Sequence, residues 1–166
     1  MTNLKGGVKR MRRQTVECLR LEELTLYGLW QPSSDQTVAR DIPALSRRYR
    51  AAIQRQGEQV LPFYVLSRDY DEASGRFSLF VGNEQPHPAL RELTLPTGLY
   101  GKMVVRPRWA FLWGAAVGAA KRYFYTQCLP DSPYRACGLE FERHTEKRLG
   151  RRPSVDLLFS IREKTP

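Results

Sequence analysis

The chain has 166 residues, with 27 lysines and arginines against 17 acids, a formal net charge of +10, and 42% hydrophobic and 11% aromatic residues. That is long enough for one ordinary domain, or two small halves sharing a core, to fold without staples, and too apolar for a disordered tail. The positive excess suits polyanions or a membrane surface and says little about fold. Cys18, Cys128 and Cys137 are odd in number and match no metal spacing, so they read as reduced thiols, and neither a metal nor another cofactor is expected.

Residues 1 to 15 carry Gly6, Gly7 and five basic side chains without an apolar period, and they read as a flexible basic arm. The acids of LRLEELTL break the apolar region that a signal peptide needs, so a cytoplasmic protein is expected. The arm is too short for a helix-turn-helix, and no C-x-x-C pair suggests a finger.

LEELTLYGLW (21 to 30) alternates as a strand. Residues 42 to 56 place Ile42, Leu45, Tyr49, Ala52 and Ile53 at helical spacing, with Asp41 as the expected N-cap, Pro43 in the first turn and Gly57 as the stop. The opposite face carries Arg47, Arg48, Arg50 and Arg55, either a solvated face or a surface for phosphate. LPFYVLSRDY (61 to 70) and RFSLFVG (76 to 82) read as strands joined through the DEASG hairpin turn.

Beyond the NEQPHP connector the same order returns. LTLPTGLYGKMVV (93 to 105) ends in a strand, and 109 to 127 is an apolar helix. Its core WAFLWGAAVGAA falls short of the about 20 residues that span a bilayer, so it is expected in a protein core, with no membrane contact. Pro130 and Pro133 bracket a turn, LEFERH (139 to 144) is a strand, TEKRLGRRP a basic turn and SVDLLFSIRE (154 to 163) the last strand. The expected architecture is α+β: a strand-helix-strand-strand unit present twice, about 17–86 and 91–164, with pseudo-twofold symmetry, an antiparallel sheet and a central pocket where small molecules tend to bind.

In LEFERH, strand alternation sends Leu139, Phe141 and Arg143 one way and Glu140, Glu142 and His144 the other. Taken alone, Glu142 reads as a solvent-facing strand residue paired with Arg143 or Arg148.

The order LTLYGLW, LTLPTGLYGKMVV, YFYTQCLPDSPYRACGLEFERH and VDLLFSIRE resembles the GyrI-like proteins, which also serve as effector-binding domains of AraC- and MerR-type multidrug regulators. The resemblance covers about residues 17 to 164. It implies a stand-alone small-molecule-binding domain whose Phe-Glu-x-Tyr glutamate, here Glu142, meets a ligand cation among aromatic rings. The following tyrosine is replaced by His144, and Glu140 is an additional acid. Trp30, Tyr64, Phe80, Tyr100, Trp109 and Trp113 are the expected rings, since a flat organic cation both pairs with a carboxylate and stacks on ring faces. Glu140 and Glu142 on one face would repel, so one is expected to rise in pKa, or His144 and a ligand to absorb the charge.

Two alternatives accompany this reading. Some relatives hydrolyse strained electrophiles, which would make Glu142 the general base of a metal-independent hydrolase. Others bind DNA gyrase, and the arm and the arginine face suit such a partner or nucleic acid. The sequence does not fix an oligomeric state.

Overall fold

The computed structural model of the protein describes residues 15–109 and 112–165. The basic arm lies outside these residues, apart from exposed Thr15.

Eight antiparallel strands form one strongly curled sheet: β1 (Val16–Leu21), β2 (Leu24–Ser34), β3 (Phe63–Asp71), β4 (Arg76–Asn83), β5 (Arg91–Leu95), β6 (Gly98–Val105), β7 (Tyr134–His144) and β8 (Val155–Glu163). Two helices accompany them, α1 (Val38–Ala52) and α2 (Trp113–Tyr123). The spatial order is β1-β6-β8-β7-β3-β4-β2-β5. Exchanging β1 with β5, β2 with β6, β3 with β7 and β4 with β8 reverses this order onto itself, so the repeat expected from the sequence is a pseudo-twofold whose seam is the β3–β7 ladder. Each repeat has one strand more than expected. LEELTLYGLW divides at Glu22 and Glu23, and LTLPTGLYGKMVV divides at Pro96 and Thr97, where proline has no N–H to give to a ladder. Strands β1 and β5 do not stay with their own repeats: β1 pairs with β6, and β5 with β2.

Ladder partners share a face. On one face, α1 buries Leu45 and Tyr49 against Val65, Leu79 and Val81. On the same face of the other repeat, Val117 and Ala120 of α2 meet Met103, Val105, Val155, Leu157, Phe159 and Ile161. The opposite face holds a third core of Leu26, Tyr64, Leu66, Phe80, Leu95, Tyr100, Phe141 and Leu158. Strand β8 is buried on both faces, which explains why its apolar run is nearly unbroken.

Helix α1 starts and stops earlier than its periodicity predicts. Thr37 occupies the N-cap position in place of Asp41, and the Asp41 carboxylate, one turn in, accepts from Thr37 Oγ1 at 2.6 Å and Ser33 Oγ at 2.8 Å. That anchors an acid at the positive end of the helix and leaves Pro43 inside the helix, beyond the first turn. The helix closes at Ala52, and Gly57, at φ +77°, lies beyond the closing turn.

The second helix is shorter than 109 to 127. After Tyr123 it widens into a π-helical turn, Phe124–Cys128, closed by Leu129 N–H donating to Phe124 O at 2.8 Å. The extra residue per turn turns Phe124 onto the sheet, where it stacks on Phe159 at 3.8 Å and 7°. Within TEKRLGRRP, residues Glu146–Leu149 form a short 3-10 turn, with Thr145 at its N-cap accepting from Lys147 N–H.

Candidate functional site

Strand β7 lies at the seam and carries the acids. Glu142 pairs with Val65 on one side and Leu157 on the other, so it stands on the helix-bearing face where the cores beneath α1 and α2 meet. Glu140 and His144 flank it on the same face. A bulge precedes them: between the Ala136–Ile161 and Glu140–Phe159 pairs β7 uses four residues where β8 uses two, and Gly138 takes φ +77°. Only a residue without Cβ adopts that backbone without strain.

Each acid has its own partners. Glu140 receives Lys121 Nζ at 2.5 Å and the Tyr125 hydroxyl at 2.7 Å, both from the end of the second helix. The Glu142 side chain is 12% exposed and that of His144 is 6% exposed. Glu142 Oε2 meets His144 Nε2 at 2.9 Å, and His144 Nδ1 meets Arg148 Nη1 at 2.9 Å. A guanidinium only donates, so Nδ1 must offer its lone pair, the ring proton sits on Nε2, and His144 donates to Glu142. Among the described residues Glu142 Oε1 accepts no hydrogen bond.

The electrostatics follow from this chain. Burial pushes the Glu142 carboxyl up, but the hydrogen bond from His144 and the positive charges of Lys121 and Arg148 outweigh it and hold the group below the usual carboxylate range. The repulsion expected between Glu140 and Glu142 is therefore absorbed by different partners: Lys121 and Tyr125 for one, His144 and Arg148 for the other. Burial also draws down the pKa of Arg148, a cost that Glu142 partly offsets.

The six expected rings do not gather around Glu142. Trp113 does approach, its ring 6.5 Å from that of His144 and 5.4 Å from the Arg148 guanidinium. Trp109 is 59% exposed in the loop before α2. Trp30, Tyr64, Phe80 and Tyr100 lie on the other face of the sheet, because Tyr64 pairs with Arg143 and Tyr100 with Ser160, each one residue out of phase with the Glu142 face. There Tyr100 and Tyr64 pack against Phe141, and the Tyr64 hydroxyl donates to Glu84. Tyr64, Phe80 and Tyr100 are core residues and half-buried Trp30 packs against them, so none neighbours the acid across the sheet.

Arg148 is the neighbour that the expected pocket set leaves out. Its signal was present in the basic turn, but only the fold of that turn returns its side chain to His144. A cleft of about 560 Å³ among the described residues lies away from Glu142, lined by Arg106, Lys147, Gly150, Arg152 and Ser154. On α1, Arg47 and Arg48 are exposed and Arg48 donates to Gln31, and just beyond the helix Arg55 pairs with Glu58 at 2.8 Å, which fits a solvated face. Among the described residues no helix is long and apolar enough to cross a membrane.

No protein-family model matches the sequence, and no curated protein matches it. Solved structures do match in fold. A candidate transcription regulation protein from Staphylococcus aureus MU50 superposes with TM-score 0.65 at 10% identity, over 90% of this chain and 99% of that one. SAV2435 bound to tetraphenylphosphonium gives 0.63 at 12% identity, over 89% and 94%. The C-terminal domain of EcmrR gives 0.58 at 11%, over 92% and 100%. The chain thus has the fold shared by these regulator and ligand-bound proteins, the fold that its resemblance to the GyrI-like proteins implies.

Proposed function

We propose that this protein is a small-molecule-binding module that takes an amphipathic organic cation at the seam between α1 and α2, with Glu142 as its charge anchor. The observation that carries this reading is Arg148: a delocalised cation beside a buried carboxylate, 5.4 Å from an indole ring and hydrogen-bonded to His144. The chain's own guanidinium thus stacks on the indole and places its charge near Glu142 through His144, the kind of setting a flat organic cation would occupy. A ligand enters by displacing Arg148, which can swing out with its short turn, and Glu142 Oε1 is open to a second contact. The fold shared with SAV2435, which is bound to tetraphenylphosphonium, supports the choice of a lipophilic cation.

The test is titration of tetraphenylphosphonium into the full chain, followed by tryptophan fluorescence. Glu142→Gln is expected to weaken binding by about 2 kcal/mol or more, as for stripping one partner from a buried charge pair. Arg148→Ala, which removes the internal competitor, is expected to tighten it. Unchanged affinity in Glu142→Gln would sink the proposal.

Hydrolysis gains no support from the site. A general base works best with a pKa near the operating pH, and the neighbours of Glu142 move it the other way. A gyrase or nucleic-acid partner on the Arg47 face would be a separate activity that needs none of this geometry.

A further inference from the structure

The cleft of about 560 Å³ uses none of the residues of the Glu142 site, and its lining has one sign of charge. Arg106 follows β6, Lys147 belongs to the 3-10 turn, and Arg152 and Ser154 precede β8, so the cations arrive from three segments. Ser154 N–H donates to Lys147 O, which ties two of those segments together. Among the described residues Arg106, Lys147 and Arg152 make no ion pair, and no acid lines the cleft. All three side chains are exposed, so solvent screens their repulsion, but together they make the cleft mouth positive and attractive to an anion.

Ser154 is the second observation. The residue is 5% exposed, and its hydroxyl makes no hydrogen bond among the described residues, yet it lines the cleft. The hydroxyl is thus a free donor and acceptor at the cleft wall, within reach of an acceptor that enters. Gly150 places bare backbone in the same lining.

We propose that this cleft binds the phosphate group of a small phosphorylated molecule, with Arg106, Lys147 and Arg152 supplying charge-assisted bonds and Ser154 Oγ donating the short-range contact. Guanidinium forks match the paired oxygens of a phosphate, and the hydroxyl selects for an acceptor at one depth. The cations surround a concavity of ligand size instead of running along an open strip, which favours a small phosphate over the backbone of a nucleic acid.

The test is calorimetric titration of the full chain with inorganic pyrophosphate at constant ionic strength. A parallel titration uses a duplex DNA oligonucleotide. One saturable equivalent of pyrophosphate is expected to bind. Arg106→Ala, Arg152→Ala and Ser154→Ala should each weaken it about tenfold or more, while Arg91→Ala, on the exposed edge strand β5 that pairs with the first repeat, leaves it unchanged. Thermal melts of the variants separate lost binding from lost folding. The proposal is overturned by the absence of saturable heat, by equal weakening in Arg91→Ala, by a Ser154→Ala variant that binds like the parent, or by binding of the oligonucleotide alone.

Discussion

His144 sets the state of the acid beside it. Where the resemblance implies a tyrosine, an imidazole held by Arg148 donates to Glu142, so the carboxylate is stabilised by the protein before any ligand arrives. The sign of the pH dependence follows. The folded-state pKa of Glu142 lies below its ordinary value of 4.5, so its contribution to stability is complete above about that pH and is lost as the pH falls through the lower, folded value. Denaturant melts from pH 6 downward should therefore show a fall in stability that is smaller in Glu142→Gln. An equal acid slope in the two proteins would contradict the charge network. At this scale the sequence was informative about direction and named Arg148 and His144 as candidate partners without fixing which would bond the acid. Alternation in LEFERH correctly separated Glu142 from Phe141, because strand geometry is local. That Trp30, Tyr64, Phe80 and Tyr100 share the face of Phe141 depends on register across five ladders, and no local pattern encodes it.

At the scale of elements, two facing glycines mark where the sheet leaves no room for a side chain. Gly28 of β2 faces Gly82 of β4, and a Cβ on Gly28 would come within 2.0 Å of Val81 O and 2.5 Å of the Phe80 ring. Backbone cannot yield as a flexible side-chain end can, so Gly28→Ala should destabilise by roughly 3 kcal/mol, the upper end of overpacking costs. Gly118, on the exposed side of α2, has open space around its Cβ position among the described residues. There Gly118→Ala should stabilise by about 0.5–1 kcal/mol through helix propensity alone. Chemical denaturation of the two variants gives opposite shifts in midpoint if the sheet and helix pack as described. The elements themselves were largely readable, and their ends were not. Strand alternation and the DEASG turn located β3 and β4 closely, whereas α1 starts a turn early because Ser33 and Thr37 bond Asp41, an exchange between side chains that periodicity does not register. The π-helical turn after α2 was equally invisible, since Phe124 is drawn onto Phe159 by a contact far away in the chain.

For the whole molecule, the duplicated order was legible because each repeat is built from local patterns, and the seam was not, because it is a pairing between repeats. The sequence reading left residues 16–20 of β1 unassigned and did not separate β5 from the segment that ends in β6. The sheet instead gives each to the opposite repeat, β1 to β6 and β5 to β2, while β3 and β7 join the two at the centre. Neither repeat can complete its own edge. The chain resembles a strand-exchanged dimer whose two copies have been fused, and the NEQPHP connector is the fusion point. Cutting it should cost only the entropy of tethering, so fragments 1–86 and 87–166, expressed together, are expected to associate into one folded particle, while either alone should remain unfolded or aggregate through its unfilled edge. Size-exclusion chromatography and circular dichroism of the mixed and separate fragments would check this. A further consequence follows for evolution within this fold: a mutation on β1 is felt first by the repeat that does not encode it, so the two halves are bound to change together.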